Sequence, residues 1–305
     1  MSFNEWTKVA WKVSRRECGC TPLQDRTKNE YGSIKLPDVF EEECRGFFRC
    51  CCEYNVLADG SSNSWRNDIT SAWIKLSGPL DTATATLYKN GVPASYTAAP
   101  VSFPNEPNAF YWTFEWASVL AADGPGKYEL IISYDISGIT SGFTWGIYNL
   151  KAYTVTTANK TARLKAIFSG YHTIEGIDFT NSNVIDTIRF YGFIGNRQPN
   201  TEIDNLIYQN REVKRVVREN LNTYEIITDP TCDDHIKKLT DLYLLSENEL
   251  FISDYNAHNH SYRYQDTPVI LEESPEITYY DLSREASLKC TVSDKFKNQK
   301  TYFNG

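Results

Sequence analysis

The chain has 305 residues, of which 31 are Lys or Arg and 39 are Asp or Glu, for a formal charge of −8. Such a length accommodates two ordinary domains or one large β domain, and the acidic balance argues against general nucleic-acid binding by counterion release. A single Met, aromatics at 14% and many Thr and Asn exclude a coiled coil, a collagen-like rod and wholesale disorder, and favour β structure with polar faces.

In chain order, Met1-Ser2-Phe3-Asn4-Glu5-Trp6 has no basic segment followed by an apolar core, so no secretory export is expected. No run approaches the ~18 apolar residues of a membrane span. Residues 1–70 show no sustained period; the turns of Asp59-Gly60-Ser61-Ser62-Asn63-Ser64 and the charge run Glu41-Glu42-Glu43 predict an irregular, Cys-rich N-terminal arm. Six of the eight cysteines lie in this arm, as Cys18, Cys20, Cys44, Cys50, Cys51 and Cys52, while Cys232 and Cys290 are isolated. Without export, reduced thiols are expected. Four thiolates could hold a tetrahedral zinc, but the spacing is not that of paired C-x-x-C knuckles, and three adjacent cysteines do not converge easily on one ion.

Residues 71–157 read as an antiparallel β-sandwich domain. Ala72-Trp73-Ile74-Lys75-Leu76 and Ala83 to Tyr88 have strand texture, and Asn90-Gly91 before Val92 supplies the positive φ of a type I′ hairpin turn. Phe110 to Trp116, Lys127 to Tyr134 and Trp145 to Tyr153 complete the set, separated by breaks such as Asp123-Gly124-Pro125-Gly126.

Residues 158–305 read as a second β domain with one packed helix near 231–244. Its strands are expected over Ala162 to Phe168, Ile188 to Ile194, Val213 to Arg218 paired with Tyr224 to Ile227, Leu250 to Ser253, Tyr262 to Leu271 and Leu288 to Ser293. The helix follows the capping candidates Asp229-Pro230-Thr231, carries Asp233 and Asp234 in its first turn, and places Ile236, Leu239, Leu242 and Tyr243 on one stripe. The fold class is therefore mainly β: two sandwich-like domains, the second with a helix, and an irregular arm.

Chemistry leaves few local signatures. There are four histidines, His172, His235, His258 and His260, and neither a nucleophile elbow, a zinc-protease helix nor a phosphate-binding glycine loop. Asp254-Tyr255-Asn256-Ala257-His258-Asn259-His260 could present Asp254, His258 and His260 to a divalent metal, but a loop whose Asp and Asn side chains bond their own backbone explains the same composition. No catalytic, cofactor or metal residue is assigned. Arg211 to Glu219 alternates in sign, which suits a solvated or subunit-contacting strand. Lys295 to Lys300 is a basic tail in an acidic protein, suited to packing against an acidic neighbour.

Thr173-Ile174-Glu175-Gly176-Ile177-Asp178-Phe179, Ile188 to Asn200, Asn210-Arg211 and Asn222-Thr223-Tyr224-Glu225-Ile226 form a distinctive series. It continues through the capped helix to Phe251-Ile252-Ser253-Asp254-Tyr255-Asn256, Asn259-His260 and Pro268-Val269-Ile270. Over residues 145–305 this order of elements resembles the tail and neck ring proteins of crAss-like tailed phages, which infect Bacteroidota. The resemblance implies a virion structural protein, made in the host cytoplasm and repeated around the tail, without catalytic activity or cofactor. Its implied partners are copies of itself and other tail or portal proteins, with DNA passing nearby and no membrane. A different class of function, a carbohydrate- or receptor-binding module of a tail fibre, would use Trp112, Trp116 and Trp145 to stack on sugars, although such residues also fill sandwich cores. A glycan-cleaving enzyme is the weakest reading, since no pair of carboxylates stands out.

Overall fold

The computed structural model describes residues 53–301, apart from short segments at 62–63, 77, 79–80, 137, 159–160, 169–172, 175, 196, 210, 212, 245–248, 255–263, 281–284 and 297. The six clustered cysteines, His172, His258 and His260 lie outside the described residues. Asp254 falls within them, at the end of a strand.

The first unit contains β1 (Glu53–Ala58), β2 (Ile69–Lys75), β3 (Thr82–Lys89), β4 (Val92–Pro93), β5 (Val101–Ser102), β6 (Ala109–Glu115), the helix α1 (Trp116–Asp123), β7 (Gly126–Ile136) and β8 (Ile139–Ala152). One sheet has the order β1-β8-β7-β3-β4 and the other β2-β6-β5. Part of the region that the sequence presents as an irregular arm is a regular strand, with Tyr54, Val56, Leu57 and Ala58 of β1 buried. β1 pairs parallel to β8, the one parallel pairing in a sheet expected to be antiparallel. The β3–β4 hairpin turns through Asn90 and Gly91, both at positive φ (53° and 78°), as a type I′ turn requires. Trp116 does not end a strand; it opens α1 and donates from Nε1 to Thr70 Oγ1 at 2.9 Å.

Leu130 and Ile132 of β7 and Leu87 of β3 are buried on one face of the first sheet, and both faces of the β2–β6 pair are buried, with Trp112 and Phe114 on one and Trp73 on the other. Trp145 is 2% exposed and meets Trp73 edge-to-face at 4.9 Å. Trp145→Phe removes part of a tightly packed indole and is expected to cost about 1–3 kcal/mol, measured as a lowered urea midpoint at unchanged slope.

The single-turn α2 (Val155–Ala158) leads to the second unit. This contains β9 (Thr161–Phe168), β10 (Thr173–Ile174), β11 (Ile177–Asp178), β12 (Val184–Ile194), β13 (Gln198–Ile207), β14 (Val213–Thr228) and β15 (Thr231–Cys232). After the helix α3 (Asp233–Lys238) come β16 (Leu250–Asp254), β17 (Tyr264–Leu271), β18 (Glu276–Tyr280), β19 (Glu285–Asp294) and β20 (Asn298–Thr301). Strands β14, β12, β9, β16, β17 and β19 pair in turn, all antiparallel, and β19 returns to β14, so the sheet closes as a barrel. Closure gives each barrel strand a partner on both sides and removes the edge problem there. Cross-strand partners share a face, and those of the barrel core are apolar: Leu164 with Ile188 and Ile252, Leu250 with Val269, Ile226 with Cys290, and Tyr224 with Val292. Burial pushes the Cys290 thiol up to about 12.

The expected helix is present as α3, prolonged by a π-helical turn over Leu239–Leu244, and Ile236, Leu239, Leu242 and Tyr243 are buried. Its start is shifted: Cys232 occupies the N-cap without a side-chain bond, while Thr231 is held in β15 against β19. Val213–Arg218 and Tyr224–Ile227, expected as two paired strands, are parts of one 16-residue strand, β14. Cys232 is disulfide-bonded, where the sequence suggests a reduced thiol. Among the described residues no helix is long and apolar enough to cross a membrane.

Candidate functional site

Two features are built beyond what folding a sandwich and a barrel demands. The first is a buried ionic seam between the units. In the β9–β12 ladder Arg163 stands directly opposite Arg189, a like-charge pair that would be destabilising alone. Asp68, immediately before β2, sits between them: Oδ1 accepts from Arg163 Nε at 2.8 Å, and Oδ2 from Arg189 Nε at 2.5 Å and Leu57 N at 2.7 Å. The three side chains are at most 1% exposed. Arg163 Nη1 also reaches Asp266 Oδ1 at 2.7 Å and Ser253 Oγ at 3.2 Å, and Lys165 pairs with Asp266 Oδ2. Each unit therefore supplies charges that the other neutralises.

Alongside, barrel side chains close the outer edge of β2. Thr187 Oγ1 accepts from Ile69 N at 2.9 Å, and Asp186 Oδ1 accepts from Ser71 N at 3.0 Å. Ser71 Oγ donates back to Ile185 O at 2.7 Å. These bonds replace the missing neighbouring strand and satisfy backbone donors that burial would otherwise orphan. A third clasp lies at the far end of β2, where Lys75 Nζ donates to Glu106 Oε2 (2.7 Å) and Gly176 O (3.1 Å), and Asp178 N donates to Glu106 Oε1 (3.1 Å).

Asp186 carries the seam on to α3. Its Oδ2 meets Lys238 Nζ at 2.9 Å and the Tyr243 hydroxyl at 2.8 Å, and Lys238 lies over the Tyr54 ring at 4.9 Å. Burial, then the adjacent Asp186 charge, raises the Tyr243 phenol well above its usual range. His235 is fully buried beside Tyr54 (ring centroids 5.1 Å apart), with Nε2 unpartnered and Thr231 Oγ1 3.4 Å from Nδ1. Desolvation, then the charge of Lys238, lowers its pKa from 6.5 to about 3. The folded state thus binds this proton later than the unfolded chain, so the neutral imidazole favours folding above pH ~6.5 and that advantage is lost on acidification. Between pH 6.5 and 5 the loss is expected to be about 2 kcal/mol, at about 1.4 kcal/mol per unit. Urea midpoints across this window measure it, and His235→Gln should flatten the slope.

The second feature is a projecting tongue. Three adjacent barrel strands continue past the rim: β12 as β13, β14 through its own N-terminal half, and β19 as β20. Gly195 marks one bend, its N–H donating to Glu225 O at 2.7 Å. β13 pairs with residues 213–223 of β14, and β20 with residues 217–220. At ~3.4 Å per residue the ten residues 213–222 extend about 34 Å. Among the described residues no strand covers the outer edge of β13, and Ile207 near the tip is 70% exposed.

The seam residues are those that the sequence does not single out, while the residues it does single out are dispersed. Trp112, Trp116 and Trp145 are buried in the sandwich and present no face to a sugar. Asp254 pairs with Tyr264 and Ala162 in the barrel ladder, and His258 and His260 lie outside the described residues. Arg211 to Glu219 and Lys295 to Lys300 come together at the tongue, in β14 and around β20. Among the described residues no group of three or more His, Cys, Asp or Glu is arranged to hold a metal ion. Compared with known proteins, the chain matches no family model and no curated protein.

Proposed function

We propose that the chain is a virion structural protein, a ring-forming subunit of a phage tail or neck that assembles through symmetric contacts between copies and performs no catalysis. The suggestion comes from the resemblance of residues 145–305 to tail and neck ring proteins of crAss-like phages. The observation that carries it is the tongue. A ribbon of two or three strands needs an apolar face packed against something to be stable, and natural proteins blunt or cover exposed edges such as that of β13. Burial against neighbouring copies accounts for both its length and its openness. The buried charges support the same reading, because they are consumed in fixing one unit on the other and not presented to a cleft. A formal charge of −8 suits a subunit past which DNA moves without adhering. Other tail or portal proteins are the remaining neighbours expected in the particle.

Two-dimensional class averages from electron microscopy of the purified chain and of intact particles test the proposal. Closed rings, and density for the chain in the tail or neck, are expected. A strictly monomeric chain with no place in virions overturns it. Glycan-array binding by that monomer would instead favour a receptor-binding module, on residues other than the three buried tryptophans.

A further inference from the structure

Where α3 meets the sandwich, a titratable group is buried with one nitrogen unsatisfied. His235 lies against the Tyr54 ring of β1, and its Nε2 has no hydrogen-bond partner. Lys238 Nζ lies over the same ring, 4.9 Å from its centroid. The remaining groups around the imidazole offer it no free acceptor. From β15, Thr231 Oγ1 stands 3.4 Å from Nδ1, and the disulfide-bonded Cys232 carries no charge. From β19, Glu285 pairs with Cys232 and is exposed to water, as are Asp233 and Lys237 of α3 itself. Tyr148 of β8 stacks on Tyr54. The two buried carboxylates on this side are committed: Asp186 of β12 to Lys238, Ser71 N and the Tyr243 hydroxyl of the π-helical turn, and Asp68 to Arg163, Arg189 and Leu57 N.

A proton on His235 would add a second cation against the Tyr54 ring, in a dry site, with nothing to receive the new N–H. The element best able to give way is α3. A helix keeps its backbone bonds within itself and can lift without parting a ladder, whereas β1 is held to β8, and β12 to β9 and β14. α3 has six residues, no side-chain bond at its cap and a π-helical continuation, so little of its stability is its own. At neutral pH the burial of Ile236, Leu239, Leu242 and Tyr243 keeps it in place. We infer that α3 is an acid-released latch: protonation of His235 swings α3 and its π-helical turn away from Tyr54 about β15, while the sandwich and the barrel keep their strands. The opening wets Asp186 and uncovers the Tyr54 ring. In the closed latch burial, then the charge of Lys238, holds the imidazole down at about 3, and lifting it into water restores its ordinary 6.5. Closure is thus favoured above 6.5 and loses about tenfold in equilibrium constant for each pH unit below it, down to about 3. The latch belongs to the single chain and works whether or not copies assemble.

Amide hydrogen exchange on the full-length chain, read by mass spectrometry and corrected for the intrinsic effect of pH on exchange, tests the latch. Between pH 6.5 and 4.5 the opening constant of residues 233–244 is expected to rise about a hundredfold, while β7 and β9 stay protected. His235→Gln removes the proton site and should hold that rise to within about threefold. The ring resonances of His235 in the wild-type chain give a second reading that needs no variant. An imidazole that titrates near its ordinary value while residues 233–244 remain protected overturns the latch, because the proton is then accommodated in place. Exchange in β7 and β9 that rises in step with residues 233–244 also overturns it, since acid then unfolds the whole molecule. So does an undiminished pH response in His235→Gln, which would put the trigger on the buried carboxylates instead.

Discussion

Asp68→Ala is expected to destabilise the protein by about 3–5 kcal/mol, the cost of breaking a buried ion pair from one side. Removing the carboxylate leaves Arg163 and Arg189 facing each other across β9 and β12, both fully buried. Arg163 keeps Asp266 as a partner, whereas Leu57 N loses its acceptor and the like-charge arginine pair loses the carboxylate between its members. In a chain of this size the change corresponds to a fall in Tm of about 10 °C. Asp68→Asn, which keeps the shape and one acceptor, should fall between wild type and Asp68→Ala. Replacing all three residues together (Asp68→Leu, Arg163→Met and Arg189→Met) should recover part of the loss, because the two buried arginine charges go with the carboxylate. Calorimetry that finds Asp68→Ala within about 1 kcal/mol of wild type would show that water or movement relieves the seam, contrary to the geometry.

Gly192→Ala should be comparably damaging, by about 3–5 kcal/mol, for a reason that is wholly backbone. Gly192 pairs with Thr228 where β12 meets β14, and its φ is +137°, which a residue with a Cβ adopts only under strain. A Cβ there would lie 2.2 Å from Ile227 O and 2.8 Å from Thr228 Cα, both main-chain atoms of the partner strand. Neither can yield without parting the ladder that closes the barrel and roots the tongue. The expected readouts are a lowered denaturant midpoint and faster amide exchange at Ile226 and Thr228. Gly91→Ala makes a useful contrast: φ is +78° but nothing lies within 4 Å, so only the conformational cost of about 1–2 kcal/mol is expected. Equal effects at the two positions would mean that the clash at Gly192 is relieved elsewhere.

What could be read in advance is local, and what could not depends on partners distant in sequence. The Asn90-Gly91 turn follows from two adjacent residues that tolerate positive φ, and α3 from an apolar stripe at helical spacing. Arg163 is different. It alternates with Ala162 and Leu164 as an outward-facing residue of a half-buried strand should, yet it is fully buried because the sandwich covers that side of the barrel. Nothing within a few residues of Arg163 announces Asp68, 95 positions earlier. Barrel closure likewise depends on β19 returning to β14, a pairing that strand texture does not encode. The tongue was half legible. Its charged segments stand out in the sequence, but that β14 carries on from the barrel wall into the tongue as one strand does not.

The continuity of β14 has a mechanical consequence. One backbone runs from the tip of the tongue at Val213 to the barrel wall at Thr228, and its hydrogen bonds to β12, β13, β19 and β20 lie across the strand direction. Tension along the strand therefore loads these bonds in shear, all together, and is handed to the barrel and through Arg163 and Arg189 to the sandwich. A sideways pull on the tongue would unzip them one at a time. The protein is stiff along one axis and peelable across it.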